Sequence, residues 1–174
     1  SIGSELCRQI IKLNPKKLIL LERNEPSLYF INEELKELSL NLNVDIIPTL
    51  GDTCNKNLIY EIFKNNKIDV VFHAAAHKHV PLVEINPIEG LRNNILSTLT
   101  IGEISLEFDI EKFTLISSDK AVRPTSIMGA SKRVSELIIE KLSKDNLENN
   151  NDSKKIKTIF SIVRFGNVLN SSGS

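Results

Sequence analysis

Short apolar runs alternate with longer segments of helical spacing along the chain, and this alternation restricts the possible folds more than any other feature of the sequence. Strands are predicted for the apolar runs at residues 17–22, 44–48, 69–76, 112–118 and 158–163. Helices are predicted for the segments at residues 4–13, 27–40, 55–65, 87–107 and 126–143. Such alternation is typical of a parallel sheet with right-handed crossover helices on both faces. The sequence therefore predicts an α/β fold with a doubly wound parallel sheet.

The two ends of this pattern look cut. The alternation begins on a helix with no strand before it and ends on a Gly- and Ser-rich stretch with no helix after it. We therefore expect residues 1–174 to form one Rossmann-type domain that is truncated at both ends. The polar segment 144–156, rich in Asn and Lys, is predicted to be a mobile loop.

Composition excludes several classes of partner. Lys plus Arg number 22 and Asp plus Glu number 22, so the formal net charge is zero and no global positive field favours nucleic acid. No apolar run approaches the roughly 20 residues that span a bilayer, and no signal peptide is recognisable. Cys7 and Cys54 fit no metal-ligand spacing and are interpreted as reduced thiols. These features predict a cytoplasmic protein without a metal site.

The first residues resemble the end of a phosphate-binding loop. Ser1, Ile2 and Gly3 precede the first helix and fit the last positions of the pattern G-x-G-x-x-G. Glu22 ends the next strand 19 residues after Gly3, where a carboxylate can accept hydrogen bonds from a ribose diol. Glu22 would repel a 2′-phosphate and Arg23 would attract one, so NAD and NADP both stay open. The alternative is a chance glycine and an ordinary acid at a strand end.

Two further strand ends carry candidate cofactor contacts. Asp52 follows the second strand and could accept from an adenine amino group, although Gly51-Asp52 is also a common turn. Small residues follow the third strand, where ligands of open α/β sheets bind and a flat cofactor could approach the backbone. These residues are Ala74, Ala75 and Ala76, and the donors His77, Lys78 and His79 come next. The alternative for the three donors is a solvated basic loop.

The segment after the fourth strand carries candidate acid–base chemistry. Asp119 and Lys120 are adjacent at the strand end, and an acid beside a lysine suits paired proton transfer. Met128 and Lys132 are four residues apart in the next helix, so they share one helix face. In isolation, an Asp-Lys pair is more often a surface ion pair.

Three segments together resemble one family. HAAAHKHVPLVEINP, SSDKAVRPTSIMGASKR and VRFGNVLNSSGS are similar to the polysaccharide-biosynthesis branch of nucleotide-sugar 4,6-dehydratases, within the extended short-chain dehydrogenases/reductases. The resemblance implies a tightly held NAD or NADP, a UDP-N-acetylhexosamine substrate, and a homo-oligomer. The implied substrate is UDP-N-acetylglucosamine, which is oxidised at C4, loses water across C5–C6 and receives the hydride back at C6. It also implies that the first strand and most of a C-terminal sugar-binding region are absent.

The resemblance assigns roles to single residues. Ser118 matches a residue beside the reacting hydroxyl, Asp119 the acid that protonates the departing C6 hydroxyl, and Lys120 the group that helps to take the C5 proton. Lys132 matches the lysine that binds the nicotinamide ribose and lowers a nearby pKa. Other matched positions are the cofactor-side loop Ala74, Ala75 and Ala76, the ordering residue Asn94, and the substrate-side residues Arg164 and Asn167. The donors His77 and Lys78 beside that loop are further candidates for substrate binding.

Met128 departs from the common pattern. Most relatives carry a tyrosine at this position as the base for C4 oxidation, and a thioether cannot accept that proton usefully. A Met-containing subgroup, often in larger membrane-anchored proteins, is thought to use a water or Asp119 instead. The resemblance therefore places the chain in this subgroup and gives the Met128 sulfur a packing role.

Three rival interpretations remain. A sugar-nucleotide epimerase or reductase would use the same cofactor, with less need of the Asp119-Lys120 pair. A non-catalytic NAD(P)-binding module would fit the loss of the usual base, and a structural interaction domain would keep cofactor binding as a relic. The joint presence of Ser118, Asp119, Lys120 and Lys132 favours the enzyme.

Overall fold

The computed structural model describes residues 1–149 and 158–168, and it has the predicted α/β order. Its strands are β1 (Lys17–Glu22), β2 (Asp45–Leu50), β3 (Val70–His73), β4 (Lys112–Ser118) and β5 (Ile159–Phe165). Its helices are α1 (Ile2–Ile11), α2 (Glu25–Leu38), α3 (Lys56–Asn65), α4 (Val80–Ile85), α5 (Pro87–Leu91), α6 (Ser97–Glu107) and α7 (Ile127–Asn149). The chain divides into two compact units, Ser1–Asp52 and Thr53–Ser174.

The first unit is a β–α–β arrangement preceded by a helix. Strands β1 and β2 are parallel, in a register that runs from Lys17 opposite Asp45 to Glu22 opposite Leu50. The core of this unit consists of apolar side chains from α1, β1 and α2, namely Ile11, Leu20, Leu28, Ile31 and Leu35. Their spacing along α2 is the helical period seen in the sequence, so burial of this face explains why the segment is helical.

The second unit is built on a parallel sheet in the order β3-β4-β5. The middle strand β4 is the most buried of the three, as expected for a strand with a neighbour on each side. Phe113 is fully buried there, and its ring lies 5.4 Å from that of Phe160 on β5 and 6.2 Å from that of His73 on β3. Helices α6 and α7 pack together in this unit.

Parallel pairing brings the chemically interesting segments to one edge. β3 pairs with β4 from Val70–Lys112 to His73–Leu115, and β4 pairs with β5 as far as Ser118–Phe165. The loop 74–76 and the residues 118–120 both follow the carboxyl ends of these strands. The prediction that they share one sheet edge is therefore confirmed.

Three details differ from the predicted elements. The predicted helix 87–107 is interrupted by a π-helical turn at Arg92–Leu96, and a separate helix α4 precedes it. Strand β3 ends at His73, so the alanines 74–76 lie in a loop and not in the strand. The first helix begins earlier than predicted, because the Ser1 side chain caps it by accepting from Ser4 N at 3.1 Å.

The predicted loop at 144–156 is wrong over its first part. Helix α7 continues to Asn149, and ion pairs at i,i+4 spacing, Lys141–Asp145 and Lys144–Glu148, stabilise its last turns. The rest of that predicted loop, residues 150–156, lies outside the described residues, as do residues 169–174 of the last motif. Across 1–149 and 158–168, no helix combines the length and apolar composition needed to cross a membrane.

Candidate functional site

The candidate cofactor residues of the first unit lie in two places, at the start of helix α1 and at the carboxyl ends of strands β1 and β2. Ser1 is the N-cap of α1, and Ile2 and Gly3 form its first turn, so backbone N–H groups and the positive end of the helix dipole are directed to this point. This is the environment in which a pyrophosphate is held. The sequence prediction for these three residues concerned a loop, and the structure places two of them inside the helix.

Glu22, Arg23 and Asp52 lie together at the carboxyl end of the β1–β2 pair. Gly51 N donates to the Glu22 carbonyl at 3.0 Å, and Arg23 Nη1 lies 3.9 Å from Asp52 Oδ2. The Glu22 carboxylate accepts from Asn24 N at 2.9 Å through Oε1, which holds the side chain at the strand end. The three predicted contacts for the adenosine half of a cofactor are thus neighbours within this unit.

Asn94 organises the loop after β3 in the second unit. Its Oδ1 accepts from His77 N at 2.8 Å and its Nδ2 donates to the His77 carbonyl at 3.0 Å. The same Nδ2 donates to Ser131 Oγ at 2.8 Å on α7. The predicted ordering role of Asn94 therefore has a physical basis: one buried amide ties the loop 74–79 to the helix that carries Lys132.

The π-helical turn around Asn94 directs backbone carbonyls toward side chains. The Asn94 carbonyl accepts from Thr98 Oγ1 at 2.8 Å and from Ser135 Oγ at 2.9 Å. The Cys54 thiol contacts the carbonyls of Arg92 and Asn93 at 3.8 and 3.9 Å. π-turns inside helices are frequent at functional sites. Side-chain hydroxyls and a thiol thus donate to the backbone carbonyls of this turn.

Ser118, Asp119 and Lys120, the strand-end triplet, form a connected group at the carboxyl end of β4. Ser118 Oγ donates to Asp119 Oδ1 at 3.0 Å, and Lys120 Nζ donates to the same oxygen at 3.2 Å. These hydrogen bonds, that of Ser118 first, lower the pKa of Asp119 from its ordinary value. Lys120 Nζ also donates to Asn167 Oδ1 at 3.3 Å, beyond β5. Three predicted catalytic residues and one predicted substrate-side residue are therefore in direct contact.

Met128 and Lys132 lie on the buried face of α7, as their spacing predicts. Met128 is 3% exposed and Lys132 is 8% exposed. One of the three N–H donors of the Lys132 ammonium reaches the Ile116 carbonyl at 2.9 Å on β4. Burial lowers the pKa of Lys132 to about 8, and the Glu136 carboxylate opposes this shift. A lysine with a lowered pKa is therefore bound to β4 at Ile116, two residues before Ser118.

His73 is a buried neighbour of this lysine, and no sequence pattern singles it out. Its Nε2 lies 3.1 Å from Thr98 Oγ1 and 3.5 Å from Ser97 Oγ. Burial, followed by the positive charge of Lys132, lowers the pKa of His73 to about 3. The imidazole is therefore neutral at physiological pH and does not add a second positive charge beside Lys132.

Glu136 and its partners were also missed. Its fully buried carboxylate accepts from Ser117 Oγ at 2.7 Å and from Arg133 Nη1 at 2.9 Å. Arg164 donates to it twice, through Nε at 2.8 Å and Nη2 at 2.6 Å. Arg164, which was predicted to lie on the substrate side, thus forms an ion pair with Glu136. A helical Glu in the pattern S-K-R-V-S-E carries no sequence signal of burial, because such residues usually face solvent.

Gly129 fits against the turn that carries Lys120. A Cβ added at Gly129 would lie 2.4 Å from the Lys120 carbonyl oxygen, which is backbone and cannot rotate away. The glycine therefore allows the first turn of α7 to approach the triplet. Across residues 1–149 and 158–168, no group of three His, Cys, Asp or Glu side chains is placed to hold a metal, and neither Cys7 nor Cys54 is in a disulfide.

Comparison with known proteins matches the whole chain to one family. The family described as "Polysaccharide biosynthesis protein" matches residues 1–174. The capsular polysaccharide biosynthesis protein CapD of Staphylococcus aureus is 48% identical over 174 residues, which are all of this chain and 27% of CapD. A UDP-N-acetylglucosamine 4,6-dehydratase (inverting) of Campylobacter jejuni is 32% identical over 161 residues, 90% of this chain and 46% of the relative.

Two further matches are a relative that is named for a different activity and a protein of known structure. A UDP-glucose 4-epimerase of Rickettsia bellii is 33% identical over 159 residues, 91% of this chain and 42% of the relative. The crystal structure of Pen from Bacillus thuringiensis superposes with a TM-score of 0.80 at 29% identity, over 99% of this chain and 49% of Pen. The chain thus spans about a quarter to a half of the length of these relatives.

We expect Gly129→Ala to destabilise the second unit. Alanine is normally favoured over glycine in a helix by about 1 kcal/mol, but the clash with the Lys120 carbonyl forces the backbone apart. Overpacking of this kind costs about 1–3 kcal/mol in the free energy of unfolding. Urea denaturation measures the change. Gly102→Ala is the matched control, because its Cβ meets the movable end of Leu142 at 2.7 Å. Equal stability of the two variants would contradict the prediction.

Proposed function

The chain belongs to the polysaccharide biosynthesis protein family, and from this membership and the site geometry we propose that the full-length protein is an NAD(P)-dependent nucleotide-sugar 4,6-dehydratase. The proposed substrate is UDP-N-acetylglucosamine and the proposed product is its UDP-4-keto-6-deoxy derivative. The relative from Campylobacter jejuni, which is named for this activity, supports the proposal.

The observation that carries the proposal is the strand-end triplet. A dehydratase must remove a carbon-bound proton and protonate a departing hydroxyl on adjacent carbons, so it needs two proton-transfer groups side by side. Asp119 and Lys120 are adjacent, 3.2 Å apart at their polar atoms, and exposed at the ligand-binding edge of the sheet. Asn167 holds the Lys120 ammonium from the end of the next strand.

The residues present also fit a dinucleotide cofactor. Within the first unit, the capped start of α1 suits a pyrophosphate and Glu22 suits a ribose diol. Within the second unit, small side chains at Ala74, Ala75 and Ala76 leave the backbone accessible, and the Lys132 ammonium suits the hydroxyls of a second ribose. When bound, NAD(P) supplies the acceptor and donor of hydride.

The protonation state of Asp119 requires this residue to act first as a base and then as an acid. Its lowered pKa means that it begins as a carboxylate, so it must take up a proton before it can act as an acid. Met128 cannot serve as the base for C4 oxidation, because a thioether does not accept that proton usefully. We propose that Asp119 accepts the proton of the C4 hydroxyl, directly or through a water, and then delivers it to the departing C6 hydroxyl. The Lys120 ammonium first releases one proton to water, and the neutral amine then takes the C5 proton and later returns a proton to C5. Ser118 orients the C4 hydroxyl and Asp119.

The second candidate is a nucleotide-sugar epimerase. The relative from Rickettsia bellii, which is named UDP-glucose 4-epimerase, supports this second candidate. An epimerase uses the same cofactor but moves no proton at C5, so it has no use for an acid and a lysine held together at the reacting edge. The contacts among Ser118, Asp119 and Lys120 therefore favour dehydration over epimerisation.

The first test is the reaction itself. We expect the full-length protein, incubated with UDP-N-acetylglucosamine, to give a product lighter by one water in mass spectrometry. In D2O the product should carry solvent deuterium at C5, because that proton is removed and later replaced. A product of unchanged mass would identify an epimerase, and lack of any product with cofactor bound would indicate a binding module.

The second test removes the proton-transfer groups one at a time. We expect Asp119→Asn and Lys120→Met to lower turnover by about 10²–10⁴-fold each while cofactor binding is retained. Lys67→Met is the matched control, because Lys67 forms an exposed ion pair with Asp69 at 3.8 Å before β3, at the opposite end of the sheet. Near-normal turnover by either triplet variant would show that other groups move the protons.

The third test concerns Met128. We expect Met128→Leu to cost less than about 1.5 kcal/mol of stability and to leave turnover close to that of the wild type, because the swap conserves apolar volume in a buried position. Thermal melting and steady-state kinetics measure the two effects. Loss of most activity in a variant that melts normally would give the sulfur a specific role.

A further inference from the structure

Glu136 carries a buried charge that no step of the proposed reaction uses. Its carboxylate is 0% exposed, and a carboxylate in such a position is costly unless several donors compensate for the lost water. Burial raises its pKa, but hydrogen bonds from Arg164, Ser117 and Arg133 outweigh this effect and lower the pKa to about 2. Glu136 is therefore ionised, and its four accepted hydrogen bonds fix its position.

The partners of Glu136 come from both strands that support the candidate site. Ser117, on β4, directly precedes the strand-end triplet. Arg164, on β5, comes three residues before Asn167, which contacts Lys120. Glu136 itself lies one helical turn beyond Lys132 on α7. A single carboxylate thus joins the two strand ends and the helix whose side chains are proposed to act together.

We propose that Glu136 is a positioning residue: its buried carboxylate fixes the strand-end triplet and Asn167 relative to Lys132. Its effect on turnover rests on the proposed dehydratase function, whereas its effect on the geometry of the edge does not. Arg133 also contacts Glu140, an exposed carboxylate on the same helix at 3.2 Å. Glu140 touches neither strand through that contact, so it provides a matched comparison.

Glu136 also acts on Lys132 through space. The groups that face Lys132 are Glu136 on its own helix, the Ile116 carbonyl on β4, and His73 on β3, which burial keeps neutral. Among these side chains Glu136 carries the negative charge that raises the Lys132 pKa. Its replacement by Gln should therefore lower that pKa further.

In Glu136→Gln, the cationic partners of residue 136 should also lower the pKa of Lys132. Arg164 and Arg133 keep their charges when Glu136 becomes Gln, and their field is then no longer balanced by the carboxylate. An alkaline limb of kcat/KM that reports loss of the Lys132 proton should accordingly move to lower pH. A defect of general stability would lower kcat/KM at all pH values without moving this limb.

The experiment compares Glu136→Gln with Glu140→Gln in the full-length protein. We expect Glu136→Gln to lower kcat by about 10- to 100-fold with little change in KM, because small displacements of reacting groups have effects of this size. Amide hydrogen exchange should speed up in peptides covering 117–121 and 164–168 and stay unchanged elsewhere. Glu140→Gln should match the wild type in kinetics, pH profile and exchange.

Several results would overturn the proposal. They are a Glu136→Gln kcat within about twofold of wild type, unchanged exchange at 117–121, an unmoved alkaline limb, or faster exchange throughout the protein. If Glu136→Gln does not fold, Ser117→Ala carries the test, since it removes one bond between β4 and Glu136. It should show a smaller change in the same direction, and no change would count against the proposal.

A failure of the underlying function is distinguishable from a failure of this inference. If the wild type does not dehydrate UDP-N-acetylglucosamine, the proposed function is wrong. Exchange at 117–121 in Glu136→Gln still decides whether the carboxylate positions the edge, because that readout needs no substrate.

Discussion

The parallel pairing of β4 between β3 and β5 is the constraint on which the candidate site depends. Three strands that run in one direction must end at one edge, and the register carries this alignment as far as Ser118 opposite Phe165. The loop 74–79, the strand-end triplet and Asn167 each follow one of these ends. The strand pairing itself therefore brings residues that are far apart in sequence to one edge of the sheet.

Two buried polar groups refine what the sheet provides. The Asn94 amide fixes the loop after β3 to α7, and the Glu136 carboxylate fixes β4 and β5 to the same helix one to two turns further on. Both groups are costly to bury, and their several hydrogen-bond partners offset that cost. Fully satisfied polar groups of this kind favour one arrangement over near alternatives. The neutral His73 completes the interior without adding charge beside Lys132.

The sequence predicts best where one local rule decides the outcome. The bounds of β1 and β4 agree with the predicted strands, because both are apolar runs that begin after a charged or polar segment. The chemical group at 118–120 was also predictable, since its members are adjacent and follow a strand. The pairing of Glu136 with Arg164 was not, because 28 residues separate them and either side chain alone suits a solvated surface. Gly129 could not be singled out either, since its need for a missing Cβ arises from the Lys120 backbone.

The π-helical turn at Arg92–Leu96 makes the position of Asn94 depend on the number of residues in this segment. A π-turn holds one more residue than an α-turn over a similar length, and each residue of an α-helix advances the rotation by about 100°. Deletion of a single residue here would convert the π-turn into an α-turn, so α5 and α6 would stay nearly in phase but the widened turn that holds Asn94 would be lost. Asn94 is therefore specified by a residue count as well as by its identity. Substitutions around it change one contact, whereas loss of one residue would remove the widened turn that presents both the amide and the carbonyl of Asn94.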